Sequence, residues 1–131
     1  MKIALDVLGG DNAPLSNIKG AFAYLDHCGD SAAELLLLGD KTQIESSIRE
    51  IGREESDVSI IHTTEIVEMH ERASRIFREK PDSSLVKSIQ LVKDNEAQAV
   101  VSAGNTGALL TSSLFLIGKI PGIRRPAFAP F

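Results

Sequence analysis

The sequence predicts an α/β fold, a mostly parallel sheet with helices on both faces, and three observations predict it. Four short apolar blocks recur along the chain: Ile3-Ala4-Leu5-Asp6-Val7, Leu35-Leu36-Leu37-Leu38, Val58-Ser59-Ile60-Ile61 and Ala99-Val100-Val101-Ser102. Longer segments with apolar residues at helical spacing separate them, and strands alternating with helices are the pattern of a parallel sheet. The blocks are continuous rather than alternating, which implies burial on both faces and so a layer of helices on each side. The expected architecture is a three-layer, Rossmann-like sheet.

The first strand, residues 3–7, leads into a helix from Pro14 to Leu25. Proline suits a first helical turn, Asp11 and Asn12 precede it as caps, and Ile18, Phe22 and Leu25 share one face. After the second strand, Asp40 caps a helix over Lys41–Ile51, in which Ile44, Ile48 and Ile51 recur at helical spacing and which Gly52 stops. The third crossover is longer and carries two helical patterns, Glu71 to Lys80 and Ser83 to Lys93, with a break and cap at Pro81-Asp82. A last helix starts at Thr106 and runs to Ile117, with Gly118 as its stop.

With 131 residues the chain is one domain or part of one. Fourteen Lys and Arg against 18 Asp and Glu leave a net charge of -4, so no overall positive field exists to collect nucleic acid. A single cysteine, Cys28, excludes an intrachain disulfide and fits a reducing compartment, with the cytoplasm as the default. The amino end reads as mature sequence, because Asp6 interrupts the apolar run at once. Ala103 to Gly118 carries Asn105, Thr106, Thr111, Ser112 and Ser113 and falls short of the roughly 20 apolar residues that span a bilayer. At the other end, Arg125-Pro126-Ala127-Phe128-Ala129-Pro130-Phe131 stops on an apolar run and reads as cut off.

In a parallel sheet ligands bind beyond the carboxyl ends of the strands, so the loops after the strands form one set. The first, Asp6 through Pro14, holds the pair Gly9-Gly10, which permits close backbone approach, between the carboxylates Asp6 and Asp11. The second, Ser102-Ala103-Gly104-Asn105-Thr106-Gly107, opens an apolar helix, where unpaired N–H groups and the helix dipole favour an anion such as phosphate. It is neither a P-loop nor GxGxxG. A second anion site is offered by Lys80 with Ser83 and Ser84 at a helix start. Each has a plainer reading: a strand-to-helix turn in the first, capping by Asn105 in the second, capping by Asp82 or Ser83 in the third. Arg72, Arg75 and Arg78 form a basic stripe or a solvated helix face. No metal-binding set is readable in His27, His62, His70 and Cys28; His62 stands at a strand end on the ligand side, and Cys28 lacks a partner base.

Together, Leu5 through Pro14, Glu65-Ile66-Val67-Glu68-Met69, Lys80-Pro81-Asp82-Ser83-Ser84-Leu85 and Val101 through Ala108 match one family in order and spacing. The chain resembles PlsX, the phosphate:acyl-acyl-carrier-protein acyltransferase family of bacterial phospholipid synthesis, from end to end. Pro121-Gly122-Ile123 and Arg125-Pro126-Ala127 fit the stretch that family carries after the last of these motifs. Pro81 stands where many members carry a second basic residue, and Ala73 where many carry proline. Members are more than twice this long, so residues 1–131 correspond to the amino-terminal portion of a single α/β catalytic domain.

The resemblance implies transfer of a long-chain acyl group from acyl carrier protein to inorganic phosphate, with no metal or cofactor. It implies catalytic roles for Lys80 and Asn105, and phosphate-binding or loop-shaping roles for Asp6, Gly9, Gly10, Asp11, Ser83, Ser84, Ser102, Gly104, Thr106 and Gly107. Arg72, Arg75, Arg78, Lys119, Arg124 and Arg125 are candidates for docking an acidic carrier protein. Family members are expected to be homodimers loosely attached to the membrane. The alternatives are a phosphotransacetylase-like enzyme acting on coenzyme A thioesters and a non-catalytic anion-binding fragment.

Overall fold

The computed structural model describes residues 1–126. Four strands, β1 (Lys2–Asp6), β2 (Glu34–Gly39), β3 (Ser59–His62) and β4 (Ala99–Ser102), form one sheet in the order β3-β2-β1-β4, with every pair parallel. The helices are α1 (Leu15–Cys28), α2 (Lys41–Glu50), α3 (Ile76–Glu79), α4 (Ser84–Lys93) and α5 (Thr106–Leu116). The three-layer Rossmann-like reading holds. Among the described residues no helix is long and apolar enough to cross a membrane. The apolar end at Ala127–Phe131 lies outside the described residues.

Side chains alternate across the sheet and so sort the helices into two layers. Leu35 and Leu37 pack with Val7, Ile18, Phe22, Ile44 and Ile48, which places α1 and α2 on one face. Ala4, Leu36 and Leu38 turn the other way, toward Ala97 and the Leu91 and Val92 end of α4. On that side Leu85, Val86 and Ile89 of α4 meet Ile76 of α3 and Ala108 of α5. Continuous burial is fully met only in β2, where Leu35 to Leu38 are all at most 6% exposed. At the β4 edge Val101 is 51% exposed and borders an apolar groove with Ile3, Leu5, Ala21 and Tyr24.

Three helix starts carry the expected kind of cap. Asp40 accepts from the Gln43 N–H at 2.9 Å, Ser83 from Val86 at 3.4 Å and Asn105 from Ala108 at 3.0 Å. In the third crossover the cap is therefore Ser83 rather than Asp82. The start of α1 differs from expectation, since no side chain caps it; the Asn12 carbonyl instead accepts from the Ser16 N–H and hydroxyl.

The larger difference is the segment Glu71 to Lys80, expected as one helix. It is a 3-10 turn at Ala73–Arg75 followed by the single turn of α3. In a helix the Glu71 carbonyl would accept from Arg75, but it is taken by the Asn105 side chain, and the Arg75 N–H bonds the Arg72 carbonyl instead. Pro81 then prevents the turn from extending.

Candidate active site

The carboxyl ends of β1 and β4 lie side by side, with Asp6 in register with Ser102. Both side chains turn toward the α4 layer, where the buried Ser84 begins its helix. Ser84 Oγ donates to Asp6 Oδ1 at 2.5 Å, and Ser102 Oγ donates to Asp6 Oδ2 at 2.7 Å. Ser102 Oγ in turn accepts from the Gly104 N–H at 3.1 Å. Three chain segments distant in sequence thus converge on one buried carboxylate.

Above this knot the two glycine loops touch backbone to backbone. A Cβ on Gly9 would lie 2.6 Å from Asp6 Oδ2 and 2.7 Å from the Gly104 nitrogen, closer than any side chain tolerates. Gly10 has φ +98, a left-handed conformation that favours glycine, and backs onto the Ala103 carbonyl. Asn17 of α1 anchors the first loop, donating from Nδ2 to the carbonyls of Val7 at 3.0 Å and Gly9 at 2.7 Å. Asp11 is exposed on that loop.

Asn105 joins the second loop to the third crossover. Its Oδ1 caps α5, while Nδ2 faces the carbonyls of Glu68, Met69 and Glu71 at 3.1–3.3 Å. The side chain is 9% exposed and its donors are used within the fold, so what it offers to a ligand is its backbone N–H. With Thr106 and Gly107 it forms the amino end of α5, where N–H groups have no helical acceptor and the dipole is positive. Thr106 is exposed there, and Gly107 sits against Ala73.

Lys80 closes the far side of the same crossover. Its Nζ donates to the Ile66 carbonyl at 2.6 Å and to Glu71 Oε1 at 2.5 Å, which holds the Glu71 carboxyl below its ordinary range. Ser83 Oγ donates to the Lys80 carbonyl at 2.8 Å. Next to it, Asp82 accepts from Lys87 at 2.8 Å and from both the N–H and the hydroxyl of Thr64. The Lys87 contact, and then Thr64, lower the Asp82 carboxyl to about 2. The Asp82 N–H donates to Glu65 Oε2, and Glu65 bridges to Ser83 in parallel fashion.

The two glycine loops therefore meet over a buried carboxylate beside the amino end of α5, with a paired lysine in the adjoining crossover. A family described as "Fatty acid synthesis protein" matches residues 1–131 through its sequence model. The chain belongs to this family. Proteins named phosphate acyltransferase are similar to it: 43% identical over 129 residues in Dictyoglomus turgidum, 44% over 130 in Exiguobacterium sp. and 45% over 130 in Listeria monocytogenes. These matches cover 98–99% of this chain and 37–38% of those relatives. The chain thus spans well under half the length of the phosphate acyltransferases it matches, in accord with the resemblance to PlsX.

Of the residues singled out in this member of the fatty acid synthesis protein family, Asp6, Gly9, Ser84, Ser102 and Gly104 form one cluster, which Gly10 flanks. Asn105, Lys80 and Ser83 form a second, joined through the 66–71 loop. Sequence reasoning missed Asn17, Glu65, Thr64 and Glu71. Asn17 was visible as a polar residue beside Ile18 in the apolar part of α1; the other three lie in or beside the Glu65–Met69 motif, whose partners only the fold supplies. The basic residues Arg72, Arg75, Arg78, Lys119, Arg124 and Arg125 are all exposed, with Arg75 near Glu79 and Arg78 over the Phe77 ring.

Proposed function

We propose that this chain is the amino-terminal portion of a catalytic domain that transfers a long-chain acyl group from the thioester of acyl carrier protein to inorganic phosphate. The observation that carries the reading is the backbone contact of two glycine loops beside the open amino end of α5. A phosphate oxygen attacks the thioester carbon, the C–O bond forms as the C–S bond breaks, and the carrier thiolate leaves and takes up a proton. The product, acyl phosphate, enters phospholipid synthesis.

This reaction needs a phosphate held close to the thioester carbon and a site that stabilises the developing oxyanion. Neutral N–H groups of Gly10, Asn105, Thr106 and Gly107 hold the anion without quenching its nucleophilicity as several cations would. Lys80 orients the phosphate or steadies the oxyanion, while Ser83 and Ser84, whose hydroxyl protons go to the Lys80 carbonyl and to Asp6, hold the adjacent helix start in place, and Asp11 borders the entrance. Asn105 contributes its backbone N–H and the placement of the 68–71 loop. An acidic carrier protein docks on the exposed arginines and Lys119. By the same resemblance the family-length protein is a cytoplasmic homodimer held loosely at the inner face of the membrane, and the chemistry uses no cofactor.

The test is a comparison of acyl donors. The chain extended to the length of its relatives is incubated with inorganic phosphate and long-chain thioesters of acyl carrier protein or of coenzyme A. Acyl phosphate from the carrier-protein donor is the expected result. Acyl phosphate from the coenzyme A donor alone would move the protein to a phosphotransacetylase-like activity, and none from either would overturn the reading.

A further inference from the structure

Asp6 is 2% exposed, yet the groups that meet its carboxylate are hydroxyls rather than a cation. A carboxylate only accepts hydrogen bonds, so Ser102 must spend its one proton on Asp6 and present its lone pairs to the Gly104 N–H. The direction of the whole relay is thereby set by Asp6. Gly104 is the last residue before the Asn105 cap, and its N–H is held by the Ser102 oxygen. We infer that Asp6 is a positioning residue for phosphate: through Ser102 it locks Gly104 so that the Asn105, Thr106 and Gly107 N–H groups face the anion together.

This rests on the phosphate reading above and adds to it a group that never touches the substrate. Asparagine at position 6 would keep the shape but present an amide donor to one of the two hydroxyls. If it faces Ser102, the Ser102 oxygen receives two donors and its own proton loses the carboxylate. The relay then has no fixed direction, and the loop samples turns that scatter the N–H groups. Alanine at position 102 breaks the same link from its middle, and threonine restores the hydroxyl.

The experiment uses the family-length protein with Asp6→Asn, Ser102→Ala and Ser102→Thr, alongside Ser88→Ala. Ser88 is a fully buried hydroxyl of α4 that, among the described residues, donates to the Ser84 carbonyl at 2.7 Å. Asp6→Asn and Ser102→Ala are expected to raise KM for inorganic phosphate at least about tenfold while kcat stays within about threefold, and Ser102→Thr to recover most of the loss. Ser88→Ala should lower the melting temperature and leave KM unchanged. An unchanged KM in Ser102→Ala, or an equal rise in Ser88→Ala, would reduce Asp6 to a structural residue. A wild-type protein that forms no acyl phosphate would count against the reaction instead. In that case calorimetric titration with inorganic phosphate decides: weaker binding in Asp6→Asn and Ser102→Ala than in wild type sustains the inference, while equal binding, or none in any of them, overturns it.

Discussion

Gly9 and Gly104 stand in backbone contact, so that a methyl group on Gly9 would come within 2.9 Å of the Gly104 Cα. Neither loop has room to yield, because Asn17 pins the first and the Asp6–Ser102 relay pins the second. Gly9→Ala is therefore expected to destabilise the fold by about 1–3 kcal/mol through overpacking. Gly20, in the middle of α1, meets nothing within 4 Å of the same added atom, and Gly20→Ala should stabilise by about 0.5–1 kcal/mol. Chemical denaturation of the two variants should give shifts of opposite sign.

Asn105 does two separable jobs, and two substitutions should separate them. Asn105→Ala loses the α5 cap and leaves carbonyls of the 68–71 loop short of a donor, a loss of about 2 kcal/mol or more. Asn105→Asp keeps an oxygen for the Ala108 N–H but turns a carboxylate toward the Glu68, Met69 and Glu71 carbonyls. Hydrogen exchange should then show α5 protected in the aspartate variant and the 66–72 segment loosened in both. Equal protection of that segment in wild type and Asn105→Asp would contradict the double role.

The strands were legible because apolar blocks of this length leave little choice of element. The Asp40 and Asn105 caps were legible, and the α4 cap was narrowed to Asp82 or Ser83, because capping is local chemistry between residues three apart. Glu71 to Lys80 was not. Its helical pattern is real, but the carbonyl that would start the helix is claimed by Asn105, 34 residues away. The same distance hides the site's other joints. Ser84 reaches Asp6 across 78 residues and Ser102 across 96, so each looked like a separate loop residue until the sheet set β1 beside β4. Lys80 read as a cation open to a ligand, whereas it is held by Glu71 and the Ile66 carbonyl.

Asp82 ties the Thr64 turn to α4, and its carboxyl lies at about 2 rather than the ordinary 3.8. A carboxyl lowered in the folded state adds stability that is complete above its unfolded value and is lost as pH falls through the folded value. Between about pH 5 and pH 2, wild type should therefore lose stability faster than Asp82→Asn, and the gap between them should shrink as the pH drops. Glu71, lowered first by its Lys80 hydrogen bond, acts in the same direction. Unfolding free energies measured across that range check the sign, and a gap that widens on acidification would contradict it.

Lys80 is held between Glu71 and the Ile66 carbonyl at the rim, which makes its charge oriented rather than mobile. In the family-length protein Lys80→Ala should depress acyl phosphate formation at least about tenfold, about 1.4 kcal/mol in the barrier. Glu71→Gln keeps a hydrogen-bond acceptor while removing the charge, and should lower the rate less than Lys80→Ala. Steady-state rates for the pair decide; a wild-type rate in Lys80→Ala would remove that residue from the site.

In the proposed function, phosphate sits at the amino end of α5, over the joined glycine loops. The most direct measurement tracks the backbone amide resonances of Gly10, Thr106 and Gly107 in the isotopically labelled family-length protein while inorganic phosphate is added. Saturable shifts of these amides, with Gly52 and Gly118 at the far turns unmoved, are expected. Shifts confined to other parts of the chain, or none at these three amides, would contradict it.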